Sequence, residues 1–142
     1  MKLIRGCALV LVFLSPAASN AENKWTFLEE TKKGPKYVRS DIEFNGDWAF
    51  FYTRIDLKAP DHRNIKGKEI VYLSVVLREA ANCVERSRSI NGSIRFYSGQ
   101  GATGTEWAGP DLVGENYVYS KSDWEGKGFD RLLCKKAWEF WR

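Results

Sequence analysis

The sequence predicts an α+β fold, an antiparallel sheet with a C-terminal helix packed on it and one disulfide. Three observations carry this. Val71, Leu73, Val75 and Leu77 alternate along residues 69–79 at the two-residue period of a strand. Phe129, Leu132, Leu133, Ala137, Phe140 and Trp141 switch to helical spacing at the end of the chain. Strands first and a helix last is the α+β order.

The opening 21 residues, MKLIRGCALVLVFLSPAASNA, combine a basic start (Lys2, Arg5), an apolar run from Cys7 to Leu14 and small residues before Ala21. That is the build of a cleaved signal peptide, and the run is too short to span a bilayer, which needs roughly 20 apolar residues. Cys7 opens the apolar run rather than following it, so it is not placed to accept a lipid. The expected product is one exported domain, residues 22–142, periplasmic or secreted and not lipid-anchored. Cleavage removes two basic residues and no acidic ones, so formal charge falls from +4 to +2. So small a charge does not point to nucleic acid.

Of three cysteines, Cys83 and Cys134 remain after cleavage. In an oxidising compartment they have one possible pairing, and without a C-x-x-C spacing they read as structural.

Along the domain, Trp25 to Glu30 reads as a strand and residues 32–35 as a Gly-Pro turn. Lys36 to Asp41 reads as a short strand, Asn45-Gly46-Asp47 as a turn and Trp48 to Leu57 as a strand. Ala59 to Lys68, with Pro60, Asp61, Asn64 and Gly67, reads as an exposed loop. Glu69 to Glu79 and Val84 to Ser98 are β-like. Asn91-Gly92 inside the latter is either a hairpin turn or a bulge. Gly99 to Gly114 reads as a glycine-rich loop and Tyr117 to Tyr119 as a last strand.

Little in the sequence is catalytic. His62 is the lone histidine. One histidine and two paired cysteines cannot make a zinc site, and the same histidine in a polar loop supports no Ser-His-Asp arrangement. Gly99 to Gly104 spells G-x-G-x-x-G, but no helix follows, so it is not a nucleotide loop. The carboxylates read as solvated surface. No enzyme activity and no cofactor are expected.

The residues that stand out suit binding. Trp107, between Gly104 and Gly109, is a candidate anchor on a loop, because Trp is enriched at binding hot spots. Arg86 and Arg88, two apart on a strand, form a candidate basic pair for an acidic partner. Gly99 and Gly104 delimit the loop that would present Trp107.

In order along the chain, Trp25, Tyr37 with Ile42, Ser74, Asn82-Cys83, Arg86 with Arg88, Tyr97-Ser98-Gly99, Gly104, Trp124 and Cys134 resemble the pattern of the bacterial surface-adhesin protein E family. The resemblance covers most of residues 25–134. It implies an antiparallel sheet with a C-terminal helix, the Cys83–Cys134 bond and a non-enzymatic role, since named members bind host extracellular-matrix and serum proteins. This chain has Asn82 where the family has Asp, a short 124–134 stretch, a tail beyond Cys134 and no lipid-anchor cysteine after the apolar run. The implied partner is a protein, either a host matrix or serum protein or an envelope protein. A loop-inserting inhibitor of a lysozyme-type cell-wall hydrolase, using residues 99–110, is the alternative expectation.

Overall fold

The structure, a computed structural model, describes residues 24–113, 117–118, 120–126 and 133–134. Its strands are β1 (Trp25–Glu30), β2 (Pro35–Arg39), β3 (Glu43–Asn45), β4 (Trp48–Ile65), β5 (Lys68–Asn82), β6 (Ser87–Gly99), β7 (Thr103–Ala108), β8 (Leu112–Val113) and β9 (Tyr117–Val118). A six-residue helix, α1 (Lys121–Gly126), follows.

All pairings among them are antiparallel, in the order β1-β2-β4-β5-β6-β7. The short strands extend this path. β2 and β3 lie end to end along one edge of β4, and β7, β8 and β9 lie successively along β6.

The expected α+β class is corrected by this architecture. The described residues are dominated by antiparallel sheet, and their one complete helix is α1, too short to form a layer. The helix expected from Phe129 to Trp141 lies outside the described residues, except for Leu133 and Cys134. Two segments read as loops are strand instead. β4 continues through 59–65 and turns back at Lys66-Gly67, where both residues have positive φ, 51° and 81°. That is the hand a two-residue hairpin needs to match strand twist, and Asn64 Oδ1 accepts the Gly67 N–H at 2.9 Å. Pro60 is accommodated because it lies where the register slips, between Asp56 and Asp61, and no ladder bond is asked of its nitrogen. Within 99–114, residues 103–108 are β7. Asn91-Gly92 is an irregularity inside β6: Leu77 pairs with Ile94 and Glu79 with Ile90, leaving extra β6 residues between.

One face of the sheet is covered. Near the disulfide, Ala49, Phe51 and Ala81 pack with Trp124, Leu133 and Cys134. Farther along the strands, Leu57, Ile70, Tyr72, Ile94 and Phe96 form a second cluster, with Tyr72 edge-on to Phe96 at 4.7 Å between centroids. Cys83 and Cys134 are bonded, with Cα atoms 5.4 Å apart and a sequence separation of 51. The bond therefore ties the C-terminal segment to the end of β5. At the opposite end of the strands, the β1–β2 turn presses onto β4. A Cβ on Gly34 would meet the Asp56 carbonyl oxygen at 1.9 Å, so glycine alone fits there.

Candidate protein-binding face

Between the two apolar clusters the covered face carries charge. Glu79 accepts from Thr53 Oγ1 at 2.6 Å and from Arg88 at 3.0 Å, and its carboxylate is 3.2 Å from Lys36 Nζ. Register explains the meeting. Glu79 and Ile90 are cross-strand partners, as are Ala81 and Arg88, Lys36 and Ile55, and Thr53 and Leu77, which puts all four side chains on one face. Burial by itself would raise the Glu79 pKa, but Lys36, Arg88 and the Thr53 hydroxyl outweigh it and hold the carboxyl below its usual range. A carboxylate held between two cations and sealed from water suits structure rather than proton transfer.

The residues singled out in the sequence do not converge. Arg88 is 8% exposed inside this ionic cluster. Arg86 lies in the preceding turn with φ 55°, half-buried. That turn is organised by Asn82 Oδ1, which accepts the Val84 and Glu85 N–H groups at 3.0 and 2.9 Å. Trp107 is half-buried against the second apolar cluster, opposite Phe96. Gly99 and Gly104 flank the β6–β7 turn. Ser74 donates to the Gly99 carbonyl at 2.6 Å and accepts the Ala102 N–H at 3.0 Å, while Asp56 accepts the Gly101 N–H at 2.8 Å. Residues 99–108 are thus a fastened hairpin. His62 is exposed, with Nδ1 3.4 Å from Glu69. No group of three metal-ligating side chains occurs among the described residues.

The other face of the sheet holds what the sequence reading missed. Cross-strand pairing aligns Trp25 with Arg39 and Tyr52 with Arg78, and in the next row Phe27 with Tyr37, Tyr37 with Arg54, and Val76 with Arg95. Arginines and rings therefore alternate across the strands. The Arg39 guanidinium lies 4.1 Å from the Tyr52 ring and 5.9 Å from Trp25. Arg54 is 4.5 Å from Tyr37 and 4.9 Å from Trp25, and Arg78 is 5.3 Å from Phe50. These are cation–π distances.

Each arginine also meets a carboxylate. Asp41 takes Arg39 with both oxygens at 2.6 Å, and Asp56 Oδ2 accepts from Arg54 Nη2 at 3.1 Å. Arg95 bonds Glu106, and Glu43 lies 3.9 Å from Arg78. The bidentate bond from Arg39 pulls the Asp41 carboxyl below its usual range and raises the guanidinium's own pKa. The result is a charge-balanced sheet of Trp, Tyr, Phe and Arg, with guanidinium planes locked from both sides. It remains open in part: Phe27 is 58% exposed, and the Arg78 and Arg39 side chains are 33% and 25% exposed. The available signal was the Phe50-Tyr52-Arg54 and Tyr37-Arg39 alternation. It needed the strand register to become a surface.

No protein-family profile matches the sequence, and no curated protein matches it. Solved structures do. A structure of protein E from non-typeable Haemophilus influenzae superposes with a TM-score of 0.61 at 15% identity, covering 90% of this chain and 86% of that one. A second crystal form of Haemophilus influenzae protein E gives 0.60 at 15% identity over 88% and 97%, and a further structure of it gives 0.60 at 14% over 79% and 84%. At such identity the likeness is one of fold, and the chain has a protein E-like fold.

Proposed function

We propose that this protein is a non-enzymatic exported binding module that engages a protein partner, a host matrix or serum protein or an envelope protein, through its arginine–aromatic face. The observation that carries the reading is the asymmetry of the sheet. One face is sealed by apolar clusters, and the other keeps Trp, Tyr and Arg in fixed positions partly open to solvent. Those three residue types dominate binding hot spots, because each offers a large contact area with little rotamer entropy left to lose once held. The internal carboxylates neutralise the arginines, which favours a partner of mixed rather than strongly acidic character. The adhesin-like role implied by the sequence resemblance fits the same build.

The test is a binding panel of purified matrix and serum proteins and solubilised envelope proteins, comparing the natural chain with Arg39→Ala/Tyr52→Ala. Folding of the variant is checked by circular dichroism. A partner whose Kd weakens at least about tenfold in the folded variant supports the face as the site, since each hot-spot truncation costs upwards of about 2 kcal/mol. Partners bound equally by both proteins would overturn the assignment.

A further inference from the structure

The end of the sheet remote from the disulfide has its own charge character. β2 pairs with β4 no farther along than Ile55, and β6 pairs with β5 no farther back than Ser74. Residues 61–65 and 68–72 therefore extend as a two-stranded arm beyond both neighbouring strands. One side of the arm is anchored: Ile65, Ile70 and Tyr72 pack into the second apolar cluster, and the Arg63 guanidinium lies 5.3 Å from the Phe96 ring. The other side presents His62 opposite Val71, which is 46% exposed.

The arm and the adjoining β1–β2 turn carry Lys32, Lys33, Lys58, Arg63, Lys66 and Lys68, all exposed. The anions among them are Glu30, Asp61 and Glu69. Glu30 pairs with Lys58 at 2.9 Å and Asp61 with Lys33 at 3.7 Å. Three positive charges are in excess there, and Lys66, at the tip, takes the positive φ of a tight two-residue turn. The other end of the same strands mixes signs, with Glu43, Asp47, Glu85 and Asp123 beside Arg78, Arg86 and Lys121.

We propose that this basic arm rests on anionic lipid headgroups, so that the sheet stands on end and its arginine–aromatic face is presented sideways. Shape favours a planar surface over a threadlike polyanion, because Lys32, Lys33 and Lys66 sit in two turns at the same end of the strands, with Lys58 and Lys68 exposed beside them, where a plane meets several at once. Residue choice points the same way. Five of the six cations are lysines, mobile point charges suited to diffuse headgroup charge, whereas fixed recognition of a sulfate or phosphate group favours the arginine fork. The exposed Val71 adds an apolar contact at the interface. The attraction is weak and salt-sensitive, acting within about a Debye length, ~8 Å at physiological ionic strength.

The test is sedimentation with vesicles of phosphatidylcholine containing phosphatidylglycerol, or of phosphatidylcholine alone, using protein purified from the cells that make it. Each cation near the surface is worth roughly a fivefold gain. The natural chain is expected to partition about a hundredfold better onto the anionic vesicles at low salt. That preference should vanish near 0.5 M salt. Lys66→Glu/Lys68→Glu should lower partitioning at least about 25-fold. If that variant proves misfolded, Lys32→Glu/Lys33→Glu in the other turn carries the same test. Arg39→Ala, on the face proposed for protein binding, should leave partitioning unchanged. Equal partitioning by the natural chain and a folded charge-reversed variant would overturn the proposal. So would equal binding to neutral vesicles, or capture by heparin with none by vesicles.

Discussion

The two faces of this sheet hold arginine in opposite ways. Arg88, on the covered face, is 8% exposed and shares the Glu79 carboxylate with Lys36. Arg39, on the other face, lies between the Tyr52 ring and the Asp41 carboxylate at the edge of solvent, its side chain 25% exposed. Removing one partner from the first arrangement strands a charge in an apolar interior. Removing one from the second exposes the remainder to water, which solvates it. The covered face therefore carries stability, and the open face has chemistry to spare for a partner.

Several substitutions break or sharpen that contrast. The largest effect is expected from Glu79→Gln, which removes the buried carboxylate that Lys36 and Arg88 share. It should cost about 3–5 kcal/mol in urea unfolding. A loss under about 1 kcal/mol would show that water reaches the cluster. The same carboxyl sets a pH dependence. Its folded pKa lies below its unfolded one, so its stabilisation is complete above the unfolded value and is lost as pH falls through the folded value. Asp41 and Asp61, also lowered, act in the same direction. The natural chain should lose stability below roughly pH 4, and Glu79→Gln should show a shallower acid slope in unfolding curves.

A direct comparison comes from two phenylalanines. Phe51 is 1% exposed on the covered face, and Phe51→Ala should cost about 3–5 kcal/mol. Phe27 is 58% exposed, and Phe27→Ala should stay within about 0.5 kcal/mol, while still weakening partner binding. Equal costs would mean that the open face is covered in solution.

Opening the 51-residue disulfide loop with Cys83→Ser/Cys134→Ser should cost about 2–4 kcal/mol, read as a lower melting temperature, because the unfolded chain regains loop entropy. The smallest structural effect of interest is Arg39→Ala, about 1 kcal/mol, from lost stacking and a bidentate bond at the edge of solvent. Arg39→Lys should recover charge but neither the fork nor the stack, so partner binding should stay low while stability changes little.

Much of the framework was local and thus legible. Strand periodicity around Val71 to Leu77, the turns at 32–35 and 45–47, and the pairing of Cys83 with Cys134 depend on neighbours in sequence or on counting, and the described structure contains each. Misreadings arose where composition and conformation part. Residues 59–68 have the polar, proline-containing make-up of a loop, yet the partner strand turns them into a hairpin, with Pro60 excused at an irregularity in the ladder. Trp107 looked free beside glycines until its cross-strand partner proved to be the buried Phe96.

By itself the sequence determined that strands dominate residues 25–108 and where several of them turn, because side-chain alternation and turn chemistry act within a few residues. Register was decided only by the tertiary structure. A slip of one residue would have moved Glu79, Thr53 and Lys36 to solvent and Arg54, Tyr52 and Tyr37 to the interior. Which arginines became buried structure and which became surface followed from hydrogen-bonded pairing between strands far apart in the chain, and that information is absent from any single stretch of it.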